Sequence, residues 1–117
     1  MKYNGKCHCG QIVFEVEGNL ESAIECNCTI CSQSGYLHWM IEPSQLHMKT
    51  PLEKATLYLW GTKQARHYFC PNCGVAVLRN PRTDPDKKYS VNVRCLEGVD
   101  VTKLKLSQFD GLNKLKV

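Results

Sequence analysis

The stretch Cys26-Asn27-Cys28-Thr29-Ile30-Cys31 places three thiols within six consecutive residues. A metal ion can gather three such side chains from one tight loop. Structural zinc sites are usually closed by four protein ligands, whereas catalytic zinc sites keep three and leave one position for water or substrate. Whether this trio borrows a fourth ligand or stays open therefore depends on how the other cysteines are used.

Two further cysteine pairs are each followed directly by a glycine, in Gly5-Lys6-Cys7-His8-Cys9-Gly10 and Phe69-Cys70-Pro71-Asn72-Cys73-Gly74. A glycine directly after the second cysteine suits a turn with positive φ, where backbone N–H groups can point at sulfur. We call each of these two turns with its cysteine pair a knuckle. A knuckle supplies only two ligands, so a four-ligand metal site requires both of them. Completing the second knuckle with the 26–31 trio would instead leave five thiols competing for four places. The sequence therefore favours a closed site formed by Cys7, Cys9, Cys70 and Cys73.

The remaining trio, Cys26, Cys28 and Cys31, then forms a second site with an open fourth position. Three thiolates on one zinc ion leave a net charge of about −1, which suits a soft sulfur ligand better than hydroxide-based hydrolysis. A substrate thiol in the fourth place would have its pKa lowered and its sulfur held where an electrophile can meet it. The alternative is a second structural zinc completed by His38 or His67. Either histidine is also a candidate acid or base near neutral pH.

The composition indicates one globular domain and favours metal over disulfides. The 117 residues are 43% hydrophobic and 22% charged, with a formal net charge of +4. No apolar run approaches the roughly 20 residues of a membrane span, and residues 1–6 lack the apolar stretch of a signal peptide. Eight cysteines without an export signal predict a reducing compartment, the cytoplasm. No cluster of arginines and aromatics accompanies the lysines Lys103, Lys105, Lys114 and Lys116, so we expect no nucleic-acid partner.

Short alternating segments separated by turn residues predict a mainly β domain of six to eight strands. The segments lie at residues 11–17, 23–26, 36–41, 45–49, 56–60, 65–69, 75–78 and 88–95. The three-cysteine stretch is predicted to be a loop, continued by a flexible polar connection at residues 32–35. The tail from residue 96 to residue 117 is predicted to hold one helical turn and one apolar-alternating piece.

The motifs together resemble the glutathione-dependent formaldehyde-activating enzymes, a family that includes centromere protein V. The two knuckles, Phe14-Glu15 and the C-x-C-x-x-C stretch occur in the family's order. Residues 91–93, 98–100 and 109–111 also resemble the family's C-terminal pattern. The likeness covers nearly the whole chain, so we expect a single zinc-binding domain of this type over residues 1–117. The resemblance implies a β-tent fold of short antiparallel sheets stapled by zinc.

The resemblance also implies roles for the cysteines. The four knuckle cysteines would bind a structural zinc, while Cys26, Cys28 and Cys31 would be the catalytic residues and would bind a second, more labile zinc. The founding activity is a carbon–sulfur lyase reaction that reversibly adds formaldehyde to glutathione, giving S-(hydroxymethyl)glutathione. We therefore expect a zinc-dependent lyase for a small thiol–aldehyde adduct, with a thiol such as glutathione as partner. The alternative is a non-catalytic, zinc-stabilised binding module for a protein or nucleic acid.

Other residues are candidates for binding substrate. Asn27 stands where the family often has histidine, and its amide can still donate a hydrogen bond to sulfur or substrate. Arg66, Arg79 and Arg94 could clamp a substrate carboxylate, and Arg94 is the best placed because it ends a predicted strand. Cys95 lacks a cysteine neighbour and is predicted to be a buried free thiol.

Overall fold

Two β-sheets make up most of the computed structural model, which describes residues 1–82 and 84–114. Ten strands occur in these ranges: β1 Lys2–Lys6, β2 Val13–Glu17, β3 Ser22–Cys26, β4 Leu37–Ile41, β5 Leu46–Met48, β6 Thr56–Tyr58, β7 Arg66–Phe69, β8 Ala76–Asn80, β9 Tyr89–Asn92 and β10 Lys105–Phe109. The helices are α1 Thr29–Ser34 and α2 Gly111–Lys114, with 3-10 turns at Pro43–Gln45, Leu52–Lys54, Val93–Cys95 and Val101–Lys103. None of the described helices is long and apolar enough to cross a membrane.

The mainly β prediction is confirmed, and each of the eight predicted segments contains a strand. The strand count was too low because β1 was missed and β10 was predicted only as an apolar-alternating piece. The sequence of β1, KYNGK, has no apolar alternation and becomes a strand through its antiparallel pairing with β2. The part of the predicted tail beyond residue 114, with Lys116, lies outside the described residues.

One of the strand pairings in the two sheets is parallel. The small sheet has the order β1-β2-β5, and the large sheet has the order β10-β3-β4-β9-β8-β7-β6. All pairings are antiparallel except that of β10 with β3, which runs from Lys105↔Ser22 to Phe109↔Cys26 in parallel. Consecutive antiparallel strands need only a tight turn, but β10 reaches β3 by a long connection that permits either direction. The expectation of purely antiparallel sheets is therefore wrong at this edge.

The second half of the three-cysteine stretch is helical, which corrects the predicted loop and flexible connection. Helix α1 begins after Cys28, which has extended backbone, and ends at Gly35. Gly35 has φ of +68° and donates its N–H to the carbonyl oxygen of Cys31 at 3.0 Å. This is a common way for a helix to stop, and it suits glycine. At six residues, the helix is too short to show an apolar periodicity in the sequence.

One face of the large sheet packs against the small sheet and forms the core. Trp39, Val91 and Leu78 are paired across β4, β9 and β8, and their side chains are at most 9% exposed. Phe14 and Val16 of β2 belong to the same cluster. The core therefore fills the space between the two sheets. The opposite face of the large sheet lies outside this core.

That opposite face carries polar and ionisable side chains in register. Met40 pairs with Ser90, Ser90 with Arg79, and Arg79 with His67. Directly paired residues of neighbouring strands lie on the same face of a sheet. A row that starts on β4 and ends on β7 therefore collects these side chains on one surface.

Replacing Gly5 by alanine is predicted to destabilise the fold. Gly5 pairs with Phe14, and a Cβ at this position would overlap the ring of Phe14, which is fully buried. Overpacking of this kind typically costs about 1–3 kcal/mol of the free energy of unfolding. Chemical denaturation should show this loss for Gly5→Ala and little change for the neighbouring exposed Asn4→Ala. Equal stability of the two variants would mean that the ring does not pack across β1.

Candidate functional site

The fold brings the two knuckles together, although 61 positions separate Cys9 from Cys70 in the sequence. The metal-binding atoms of Cys7, Cys9, Cys70 and Cys73 all lie within 4.8 Å of one another. The sulfur of Cys9 is 3.7 Å from that of Cys7 and 3.6 Å from that of Cys70. Four sulfurs arranged tetrahedrally about 2.3 Å from zinc would be about 3.8 Å apart. The four cysteines are thus close enough to hold one metal ion, and a structural zinc at this place stays a prediction.

The backbone of each knuckle turns as expected from its glycine. Gly10 has φ of +83° and Gly74 has φ of +78°, and both lie in the left-handed region. In the second knuckle, the N–H groups of Asn72 and Cys73 point at the sulfur of Cys70, at 3.4 and 3.5 Å. Such donors favour the thiolate over the thiol, but burial outweighs them and raises the pKa of the Cys70 thiol to about 11. The hydrogen bonds of the turn therefore offset only part of the cost of a Cys70 thiolate.

The other three cysteines form a second group. Cys26 is the last residue of β3, Cys28 precedes α1, and Cys31 lies inside α1. Their sulfurs also lie within 4.8 Å of one another, and each residue is less than 9% exposed. In the described part of the chain, neither His38 nor His67 belongs to this group. Among the residues that the structure describes, the group therefore consists of three sulfurs, with Nε2 of His38 close to one of them but outside the cluster.

Cys31 is the member of the trio that receives the most contacts from outside the group. Arg79 donates from Nη1 to the sulfur of Cys31 at 3.0 Å and from Nη2 to Oγ of Ser34 at 3.1 Å. Nε2 of His38 lies 3.2 Å from the same sulfur. Burial raises the pKa of the Cys31 thiol to about 12, and the positive charge of Arg79 acts in the opposite direction. A bound cation is therefore needed to keep this sulfur as a thiolate.

His38 is held by hydrogen bonds on both ring nitrogens. Its Nδ1 is 2.7 Å from Oγ of Ser90, whose carbonyl oxygen accepts the hydroxyl of Tyr36 at 2.6 Å. A Cys31 thiolate can only accept, so Nε2 then carries the proton and Nδ1 accepts from Ser90. Burial lowers the pKa of His38 to about 3, and the charge of Arg79 adds to this effect. His38 is therefore neutral near pH 7, and beside a Cys31 thiolate it acts as a hydrogen-bond donor.

The three sulfurs open onto a cavity of about 460 Å³ on the ionisable face of the large sheet. His38, Arg79 and His67 line it. Much of the remaining wall is apolar, formed by Ile24, Ile30, Met40, Trp60, Pro81 and Phe109. A cleft that is largely apolar with a few convergent polar groups is the usual form of a small-molecule site.

His67 lines this wall, but one of its ring nitrogens is covered by protein atoms. Trp60 donates its indole N–H to Nε2 of His67 at 3.1 Å, and an indole nitrogen can only donate. Nε2 is therefore the acceptor, and the neutral ring carries its proton on Nδ1. This buried Nδ1 has no hydrogen-bond partner among the described residues. The ring thus holds a spare N–H beside the cavity.

The arginine predicted to clamp substrate does not lie in this cavity. Arg94 is exposed, donates from Nε to the carbonyl of Gly35 at 2.9 Å, and borders a second cavity of about 280 Å³ whose wall also includes Cys26 and Cys31. Arg66 pairs with Asp86 at 2.9 Å. Arg79 is the candidate that the fold places beside the trio. Its contact with Cys31 spans 48 positions and left no local signal in the sequence.

Asn27 binds the C-terminal segment instead of sulfur. Its amide donates to Oδ1 of Asp110 at 3.0 Å, and its side-chain oxygen accepts the N–H of Leu112 at 2.9 Å. These bonds tie the three-cysteine stretch to the residues that follow β10. Cys95 is 8% exposed and donates its thiol to the carbonyl of Ala76 at 3.5 Å, so the buried free thiol is confirmed.

Replacing His67 by glutamine is predicted to reduce the loss of unfolding free energy as the pH is lowered. Burial lowers the pKa of His67 from 6.5 to about 4, so its contribution is complete above pH 6.5 and is lost as the pH falls towards 4. Between about pH 7 and pH 5, the wild type should lose roughly 2 kcal/mol more unfolding free energy than His67→Gln. Urea titrations at both pH values measure this difference, with the exposed His47→Gln as control. Equal losses in wild type and His67→Gln would contradict the buried neutral ring.

Comparison with known proteins places the chain in a family. A sequence model described as glutathione-dependent formaldehyde-activating enzyme matches residues 2–109. The crystal structure of a Rhodobacter sphaeroides protein is similar, with a TM-score of 0.78 and 35% sequence identity over 92% of this chain and 100% of that one. The family match covers both knuckles and the trio. The chain belongs to the glutathione-dependent formaldehyde-activating enzyme family.

Proposed function

We propose that this protein is a zinc-dependent carbon–sulfur lyase that acts on a small thiol–aldehyde adduct of the S-(hydroxymethyl)glutathione type. One observation carries the proposal: three buried sulfurs, whose cluster includes no fourth ligand from residues 1–82 and 84–114, open onto a cavity of about 460 Å³. Membership of the formaldehyde-activating family supports glutathione and formaldehyde as the substrate class.

The cysteines have two separate roles in this proposal. Cys7, Cys9, Cys70 and Cys73 hold a structural zinc that staples a single β-tent domain over residues 1–117. Cys26, Cys28 and Cys31 hold a second, more labile zinc at the active site. When bound there, zinc supplies a Lewis acid that captures a thiol sulfur and lowers the pKa of that thiol. Eight unpaired cysteines support a reducing compartment, the cytoplasm, as the location.

The side chains around the cavity hold the adduct and limit access of bulk water. Apolar residues such as Ile30, Met40 and Phe109 line the wall beside the sulfurs. The Nδ1–H of His67 has no acceptor within the described residues, but this nitrogen is covered by protein atoms, so it is not among the groups that meet the adduct.

The lyase direction requires one bond to break and one proton to leave. The carbon–sulfur bond breaks with its electron pair on sulfur, and the hydroxyl proton is lost as the carbonyl forms. Nδ1 of His38 accepts from Ser90, and Nε2 of His67 accepts from Trp60. Neither ring therefore offers a free acceptor nitrogen, and we assign the proton to a water molecule in the cavity.

Replacing Cys28 by serine is predicted to remove the labile zinc and the activity but not the fold. Zinc content should fall from about two ions per chain to about one, since the four-cysteine site is separate. NMR exchange spectroscopy with ¹³C-formaldehyde and glutathione should show accelerated interconversion for the wild type and the uncatalysed rate for Cys28→Ser. One tightly held zinc in both proteins, with no acceleration by either, would favour the binding-module alternative.

Replacing Cys70 by alanine is predicted to leave little folded protein. A four-thiolate zinc site contributes on the order of 10 kcal/mol to folding, whereas a whole domain is stable by only about 5–15 kcal/mol. The matched control is Cys95→Ala, which removes a buried thiol outside both groups. Circular dichroism melts should show no cooperative transition for Cys70→Ala and a cooperative one for the control. A full cooperative melt of Cys70→Ala would refute the structural zinc.

A further inference from the structure

Arg79 is a buried cation without a carboxylate partner. Its side chain lies on the cavity face of β8, and the residue is 4% exposed. Within residues 1–82 and 84–114, none of the ion pairs involves Arg79. Burying a charge is costly unless an opposite charge and hydrogen bonds compensate for it. Something else near Arg79 must therefore be negative.

The neighbour that can be negative is the sulfur of Cys31. It accepts Nη1 of Arg79 at 3.0 Å. Three thiolates around a divalent zinc carry a net charge of about −1, which one guanidinium cancels. We propose that Arg79 is a positioning residue that balances the charge of the metal-bound trio and so allows an anionic substrate thiolate to enter the fourth position. This inference rests on the proposed function.

The surroundings hold the guanidinium in one orientation. Its carbon lies 3.8 Å above the centre of the Tyr36 ring, and Nη2 donates to Oγ of Ser34. Stacking on an aromatic face and a second hydrogen bond restrict a side chain that is otherwise flexible. Ser34 ends the helix that contains Cys31, so Arg79 contacts the helix at two points. The positive charge of the guanidinium is therefore held next to the sulfur of Cys31 and away from solvent.

The charge balance determines which fourth ligand the site accepts. Without Arg79, a thiolate would join a centre that is already negative. With Arg79, the same thiolate joins a centre whose nearby charges sum to about zero. Arg79 should therefore affect both the retention of the metal and the binding of small thiols.

The experiment compares Arg79→Met, Arg79→Gln and Arg79→Lys with the control Arg66→Met, since Arg66 pairs with Asp86 at the surface and lines neither of the two cavities described. Zinc affinity of the labile site is measured by competition with a chromophoric chelator. Spectra of cobalt-substituted protein are recorded with and without 2-mercaptoethanol as the thiol probe. Subtracting the spectrum of the matching Cys28→Ser protein isolates the signal of the trio.

We expect Arg79→Met and Arg79→Gln to bind zinc at the trio about 10- to 100-fold more weakly, as for other partners of metal ligands. Their sulfur-to-cobalt charge-transfer band should move to longer wavelength, because the sulfur has lost a cation that stabilises its electrons. The spectral change on adding 2-mercaptoethanol should also reach its midpoint at a higher thiol concentration in these two variants than in the wild type. Arg79→Lys should recover much of the wild-type behaviour, and Arg66→Met should match the wild type.

Unchanged affinity and spectra in Arg79→Met would overturn the inference and leave the lyase proposal standing. A wild-type protein whose trio binds no metal would overturn both. Where Arg79→Met does not fold, the comparison of Arg79→Gln with Arg79→Lys decides. Zinc binding that is weaker in Arg79→Gln but near the wild-type affinity in Arg79→Lys supports charge balance. Equal zinc affinities of the two variants refute it. A purely structural role would lower the Tm without moving the charge-transfer band.

Discussion

The contact between two cysteine knuckles is the constraint on which the rest of the structure depends. One knuckle leads from β1 towards β2, in the small sheet, and the other connects β7 and β8, in the large sheet. Their sulfurs approach to 3.6 Å across 61 positions of sequence. A domain of this size has a modest core, so a clasp at this point fixes how the sheets face each other. The core face and the cavity face of the large sheet follow from that arrangement.

The cavity face shows how a sheet can build a polar site next to an apolar core. Alternation along each strand sends Val91 and Leu78 into the core and Ser90 and Arg79 to the cavity. Hydrogen bonds link several side chains on the cavity face, such as His38 to Ser90 and Trp60 to His67. Arg79 instead donates to the sulfur of Cys31. In our proposal, the charge of the trio is therefore adjusted from the sheet rather than from the segment that carries the cysteines.

The sequence predicted the features that depend on local signals. Cysteine pairs within turns are local, so the grouping into four and three could be inferred, as could the strands with apolar alternation. The strand β1 has no such alternation, and α1 is too short for periodicity. The parallel direction of β10 and the contact of Arg79 with Cys31 are set by packing between distant segments. No residue type or spacing near Arg79 marks it as different from the other arginines.

The parallel pairing of β10 with β3 has a consequence for the order of assembly during synthesis. Both knuckles precede β10 in the chain, so a growing polypeptide has all four clasp cysteines before Phe109 exists. The last wall of the cavity is then added when β10 pairs with β3 and Asn27 bonds to Asp110. The two knuckles can therefore meet without β10, whereas the pocket needs it. Cys26, at the end of β3, gains its partner Phe109 only when this edge of the sheet forms.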